Sequence, residues 1–249
     1  MAARCFRRIP ALLFALLLLA PAPPAAAGAP IVVELFTAQG CDSCPAAEAA
    51  FRRLAQRDDV LALAFHVDYW NYTGWSDPFA SREASERQRA YSRRFGLNYL
   101  YTPQLVINGR LELPATDRAG LERLLAGTEG PDTGTLVLGH DANGLRIAFD
   151  APPGTGEATV WLVLYNRRYV TEVTGGSNAG TVMGNDNVVR RLSALGTWRG
   201  EPLELYVRAA DLRVGPAMPD ACAIIVQEGG HGAILAAGRI VLEATAGGP

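Results

Sequence analysis

Lysine is missing altogether: all 23 basic residues are arginine. The arginines are scattered, which marks a base-composition bias of the genome and not a chemical role. Histidine and methionine are scarce, with three of each, so no His-rich or Met-rich tract is available to gather a soft metal. Cysteine is rare too. Four are present, and neither a second C-x-x-C nor an H-x-x-x-H accompanies the pair at Cys41 and Cys44. A structural zinc site wants four ligands, so that pair is at most half of one. The apolar run over residues 9–20 is about a dozen long, and a bilayer-spanning helix needs ~20. Internal repeats are absent, and low complexity is confined to the first segment.

That segment reads as a leader. Arg4, Arg7 and Arg8 precede the apolar run, and a Pro/Ala stretch ends in Ala25-Ala26-Ala27-Gly28. Charged, apolar and small-residue regions in that order make a signal peptide, with cleavage expected after Ala27. Cys5 leaves with it, and three cysteines then enter an oxidising compartment, periplasmic or extracellular. Removing the three leader arginines from 23 basic residues leaves 20 against 25 acidic ones, about −5. That balance offers no basic footprint for nucleic acid, and no membrane association is expected once the leader is gone.

What is present centres on Phe36-Thr37-Ala38-Gln39-Gly40-Cys41-Asp42-Ser43-Cys44-Pro45. An apolar strand over residues 31–36 precedes it. After it, Ala47, Ala50, Phe51 and Leu54 recur at the spacing of an amphipathic helix. The cysteines therefore sit where a strand turns into the first turn of a helix, whose free N–H groups and positive dipole end favour a thiolate. Cys41 is the expected nucleophile and Cys44 the resolving thiol. Two other readings stand beside this one. The pair is half of a metal site, or it is a static disulfide, which across so short a loop stabilises little.

The following elements set the expected fold. A helix over residues 45–56 leads to a continuous apolar strand, 60–67, of the kind buried on both faces. An aromatic loop, 68–75, leads to a helix over residues 78–95 that stops at Gly96. Strands 105–107 and 111–113 flank Asn108-Gly109, a strong hairpin signal, and Thr116 is the expected cap of a last helix over 117–126. The order β-α-β-α-β-β-α resembles a thioredoxin-like domain with a glutaredoxin-like core. Pro103 precedes the Gln104 strand and cannot donate to a ladder. In that resemblance the Thr102–Pro103 bond is cis and lies beside the C-x-x-C, and Thr102 and Pro103 bind the substrate's extended chain.

The chain also resembles the secreted bacterial proteins grouped as domain of unknown function 1223. The likeness rests on residues 34–45, His66-Val67-Asp68-Tyr69-Trp70, residues 74–79, Arg87-Gln88-Arg89-Ala90-Tyr91, Tyr101-Thr102-Pro103-Gln104 and, more weakly, Asn187-Val188-Val189-Arg190. It implies an exported thioredoxin-like domain without an established reaction. The chain departs from the family pattern at Asp42, where Ser is usual, and at Ala46, where Pro is usual. Neither change removes a thiol, though Asp42 beside Cys41 can shift the potential.

From Thr133 onward short β-branched runs alternate with Gly and Pro: 135–138, 145–149, 159–165, 203–207, 223–227 and 234–241. The expectation is a signal peptide at 1–27, a thioredoxin-like α/β domain at 28–130, and a β-rich sandwich domain at 131–249. Residues 173–186, rich in Gly and Asn, read as a long loop.

Single residues carry two readings each. Asp68 takes a proton from Cys44 or caps the aromatic loop. Glu34, inside an apolar strand, is a rival proton acceptor or a partnered structural charge. His66 reads as a core histidine, Trp70, Tyr72 and Trp75 as a mini-core or a groove wall, and Cys222 as a buried strand cysteine. The function expected is an exported thiol–disulfide oxidoreductase acting through Cys41 and Cys44 on protein thiols or a redox partner protein. It would need no cofactor and no metal. The alternative is a binding protein whose C-x-x-C holds a soft metal or stays a structural disulfide.

Overall fold

The computed structural model describes residues 28–229 and 231–242, so the leader, its cleavage after Ala27 and Cys5 lie outside the described residues. Strand β1 (Ile31–Thr37) is buried along its whole length. It opens with Ile31, Val32 and Val33, whose branched side chains pack well on a pleated surface. Helix α1 (Cys44–Ala55) follows, with Pro45 in its first turn, where a missing N–H costs nothing. Strand β2 (Val60–His66) lies parallel to β1, in register from Ile31↔Val60 to Thr37↔His66.

Helix α2 (Arg82–Phe95) begins later than the Pro78 expected from the sequence. The Asp77 carboxylate accepts from Phe79 N to close a separate turn, and Ser81, extended at φ −137°, accepts from Ala84 N as the true cap. Strand β3 (Gln104–Ile107) pairs antiparallel with β1 and turns at Asn108 and Gly109, both left-handed at φ 48° and 64°, into β4 (Leu111–Pro114). Helix α3 (Arg118–Ala126) is capped one residue later than expected: Asp117, not Thr116, accepts from Gly120 N at 2.8 Å.

Alternation along the strands divides the core. Val33, Leu35, Ala62 and Ala64 pack with Ala47 and Phe51 of α1 and Leu121 and Leu125 of α3. Val32, Phe36, Leu61, Leu63 and Phe65 share a second cluster with Ala84 and Tyr91 of α2.

The second half adds β5 (Thr135–Asp141), β6 (Gly144–Asp150), β7 (Ala158–Val173), β8 (Thr181–Trp198), β9 (Leu203–Arg208), β10 (Ala221–Glu228) and β11 (Ile234–Val241). Here the expected fold class fails. The chain is not a thioredoxin-like α/β domain, glutaredoxin-like at its core, followed by a β-rich sandwich domain. It is mostly strand, with three α-helices among the described residues, and one mixed sheet runs β11-β10-β7-β8-β2-β1-β3-β4. The join is β8, which meets β2 in parallel at Ala64↔Val188. Asn187, left-handed at φ 48°, interrupts β8 there and donates from Nδ2 to the Ala62 carbonyl at 2.8 Å. Because β2 finds a partner in the second half, its edge is never free.

The stretch 173–186 is not a long loop either. It is the tip of the β7–β8 hairpin, registered Val173↔Thr181 through Arg168↔Asp186, with only a short 3₁₀ turn, Gly176–Asn178, between the strands. Its Gly and Asn content hid a strand whose Asn185, Asp186 and Asn187 side chains bond to Gln39, Arg168 and the Ala62 carbonyl. A smaller sheet, β5-β6-β9, covers part of the large one. Leu145, Ile147 and Phe149 share a core with Val160, Leu162, Leu164, Ile224 and Val226, so two layers do stack there. One layer belongs to the sheet of the first half.

Candidate functional site

Cys41 and Cys44 form a disulfide at the start of α1, with Cα atoms 5.4 Å apart. The turn is held by Cys41 N donating to Ala38 O at 3.2 Å and Cys44 N to Cys41 O at 3.3 Å. The Thr102–Pro103 bond is cis. The Thr102 carbonyl lies 3.8 Å from Cys41 Sγ and accepts from the Ser43 hydroxyl at 3.5 Å. The strand-to-helix turn and the segment before β3 are thus brought together across the sheet. Asp42 is exposed beside them.

Neither sulfur faces solvent, because Cys41 and Cys44 are both 0 % exposed. Two segments close over the turn. From the aromatic loop, Trp70 donates through Nε1 to Thr102 Oγ1 at 2.7 Å, and Trp75 donates to Gln39 Oε1 at 3.0 Å. From the β7–β8 tip, Asn178 Nδ2 donates to the carbonyls of Gln39 and Cys41, both at 2.8 Å. A Cβ on Gly40 would stand 2.9 Å from Thr73 Oγ1 and 3.3 Å from Trp70 O, so the chain needs glycine to pass beneath that loop. Trp70 stacks on Tyr72, which is 82 % exposed, so the aromatic loop covers the turn and also presents a ring to solvent.

The two carboxylates proposed from sequence as proton acceptors are engaged elsewhere. Asp68 accepts from Ser85 Oγ at 2.5 Å, and its N–H donates to the same hydroxyl, tying the aromatic loop to the first turn of α2. Glu34 is 0 % exposed and accepts from Arg87 at 2.5 and 3.1 Å and from the Tyr91 hydroxyl. Arg87 also donates to Gln227 Oε1 at 3.1 Å, so this group clamps β1, α2 and β10. Both residues serve the frame.

A carboxylate that the sequence reading passed over does stand near the cysteines. Glu48 lies one turn after Cys44 on the buried face of α1 and is 3 % exposed. Its Oε1 is 3.9 Å from His66 Nε2, and His66 Nδ1 is 2.7 Å from Asp77 Oδ2. Asp77 in turn accepts from Gln39 N at 2.8 Å, which links the cluster to the C-x-x-C loop. Asn185 of β8 accepts from Gln39 Nε2 at 2.9 Å. The C-terminal ends of parallel β1 and β2 place Thr37 and His66 side by side, and α1 lays Glu48 over them.

Burial pushes Glu48 above the usual carboxylate range, and the His66 charge only partly offsets it. For His66 burial pulls downward, but the charge and hydrogen bond of Asp77, with the Glu48 charge, outweigh it and hold the imidazole above its ordinary value. Asp77 feels burial upward, and His66 with the two backbone donors holds it below. The signal for Glu48 was in the sequence: it falls within the apolar stripe of α1, between Ala47 and Phe51. His66 was read as a core histidine; the structure pairs it with Asp77. Cys222 is a free, buried cysteine on β10, and burial pushes its thiol up to about 11.

Fold and site together define a mostly β protein, built on a large mixed sheet, with an enclosed disulfide at a strand-to-helix turn. The chain belongs to the family described as Protein of unknown function (DUF1223), whose model matches residues 32–227. It is similar to a protein of Agrobacterium tumefaciens solved by X-ray crystallography, at 33 % identity and TM-score 0.74, over 87 % of this chain and 96 % of that one. It is also similar in fold to HBP35 of Porphyromonas gingivalis, at 14 % identity and TM-score 0.55, over 89 % of this chain and 79 % of that one. No curated protein matches.

Proposed function

We propose that this chain is an exported thiol–disulfide exchange protein that acts on protein thiols or disulfides through Cys41 and Cys44. The observation that carries this reading is the disulfide at the N-terminus of α1 with the Thr102 carbonyl 3.8 Å from Cys41 Sγ. A helix start stabilises the thiolate released when the bond opens. Cys41 lies at the Thr102 side of the turn, so an incoming thiolate attacks its sulfur and Cys44 departs. Thr102 and Pro103 then border the partner's chain. The leader over residues 1–27 supports export, where such a disulfide persists.

The test is thiol–disulfide exchange by the mature protein with a reduced or oxidised model protein. Cys41→Ser should abolish exchange, and Cys44→Ser should accumulate mixed disulfides on Cys41. Activity at the parent level in Cys41→Ser would refute the nucleophile assignment. A second reading, a static structural disulfide, draws on the complete burial of both sulfurs. Resistance of the native disulfide to a large excess of glutathione, with reduction only after unfolding, would select it.

A further inference from the structure

Away from the disulfide, α1 and α3 leave a recess of about 330 Å³ between them. Its floor is aliphatic, made by Ala50 and Leu54 of α1 and by Leu121 and Leu125 of α3. The three leucines belong to the cluster that seats both helices against the sheet, so the floor is rigid and buried. Among the described residues no aromatic ring, hydroxyl or amide side chain lines this recess. It therefore offers no stacking platform and no polar readout for a sugar or a nucleoside. Along α1 the lining begins at Ala50, six residues past Cys44, roughly 9 Å along the helix axis. Recess and disulfide are separate places.

The rim is cationic. Arg53 and Arg57 reach it from the end of α1 and the turn beyond, Arg118 reaches it from α3, and Glu122 is the acidic residue among them. Arg57 is paired with Asp59 at 2.6 Å. Arg53 and Arg118 have no ion-pair or hydrogen-bond partner among the described residues. For Arg53 the last turn of α1 is reason enough, because the negative end of a helix favours a cation. Arg118 is different. It is the first residue of α3, where the positive end of the helix disfavours it. Glu122 follows four residues later, but a cation N-terminal to its anion is the weaker orientation of such a pair, and the two stay apart. An unpaired cation set against the dipole, beside a buried aliphatic floor, breaks a local rule in a way that a bound anion would offset.

We propose that this recess binds a single-chain fatty acid, with the alkyl chain along the leucines between α1 and α3 and the carboxylate between Arg118 and Arg53. A guanidinium fork matches a carboxylate in two parallel hydrogen bonds, which is the recognition these two unpaired side chains can supply. The leucine floor supplies the complement to an alkyl chain and to nothing more polar. Small-molecule pockets run from roughly 300 to 1,000 Å³, so a recess at the low end takes one chain and not a two-chain lipid. A bilayer surface fits poorly. Binding there needs apolar side chains that protrude, whereas none of the exposed large hydrophobic residues lines this recess. No cysteine takes part, so the site stands apart from the exchange chemistry.

The experiment is calorimetric titration of the mature protein with octanoate and decanoate, below micelle-forming concentrations and at low ionic strength. Octyltrimethylammonium and octyl glucoside serve as the cationic and neutral chains. Each methylene drawn out of water is worth about fourfold in affinity, so decanoate should bind up to ~15-fold tighter than octanoate. Arg118→Gln should weaken decanoate roughly fivefold, between the worth of an exposed ion pair and that of a sheltered charge-assisted hydrogen bond. Glu122→Gln removes the acidic residue of the rim and should tighten it about two- to threefold. Ala126→Leu, at an exposed lining position, should fill the recess and weaken both acids. No binding of decanoate by the parent at millimolar concentration overturns the proposal. So does octyltrimethylammonium or octyl glucoside binding as tightly as octanoate, or an affinity unmoved by both Arg118→Gln and Glu122→Gln. Sedimentation of the protein with phosphatidylglycerol vesicles, uncompeted by decanoate, would make this face a membrane contact and overturn it as well.

Discussion

Replacing Arg87 with methionine tests the clamp that joins the two halves of the large sheet. The Arg87 side chain is fully buried, donates to Glu34 and Gln227, and lies over the rings of Phe65, Tyr91 and Trp161 at 5.2–5.7 Å. Methionine keeps most of the packing and removes the charge. Glu34 then remains as a buried carboxylate whose remaining side-chain contact is the Tyr91 hydroxyl, and breaking a buried ion pair on one side costs about 3–5 kcal/mol. Urea slopes for small proteins run to about 3 kcal/mol per molar, so the unfolding midpoint should fall by roughly 1–2 M. The double variant Glu34→Gln with Arg87→Met should recover part of that loss, because no unpaired charge is left behind. Circular dichroism during urea unfolding measures all three proteins. A single variant whose midpoint stays within about 0.3 M of the parent, corresponding to ~1 kcal/mol, would refute the reasoning.

Two further outcomes follow from the site. Asn178→Ala removes both hydrogen bonds from the β7–β8 tip to the C-x-x-C loop; the Cys41 carbonyl keeps the Cys44 N–H while the Gln39 carbonyl loses its side-chain donor, at a cost of about 1–3 kcal/mol. Dithiothreitol should then reduce the native disulfide several-fold faster, and an unchanged rate would mean that the tip is no cover. The His66–Asp77 pair stabilises fully between the unfolded values of about 3.9 for Asp and 6.5 for His. Asp77 is held low, so its contribution is lost as pH falls through its folded value. His66 is held high, so its contribution is lost as pH rises through its own folded value. The melting-temperature difference between parent and Asp77→Asn should therefore be largest near pH 5–6 and shrink on both sides; a flat difference would show that the pair is not ionised.

Much of the first half was legible because its signals are local. The strand before Cys41, the helix after it and the Asn108-Gly109 hairpin are each set by residues a few positions apart, and all formed close to the expected boundaries. The cysteine pair at a strand-to-helix turn was readable for the same reason. Capping was less so: Ser81 and Asp117 won over Pro78 and Thr116 through backbone geometry that neighbouring candidates share.

What only the tertiary structure decided was pairing across distance. Nothing near Val188 says that it lies beside Ala64, and that one parallel contact joins strands of the two halves into a shared sheet. The same contact makes sense of the polar run Asn185-Asp186-Asn187: it is buried because Gln39, Arg168 and the Ala62 carbonyl supply its partners from elsewhere in the chain. Glu48, His66 and Asp77 likewise meet only once α1 lies over the ends of β1 and β2. Local sequence sets the periodicity of a strand or helix, whereas burial of a polar group depends on which partner the rest of the chain brings to it.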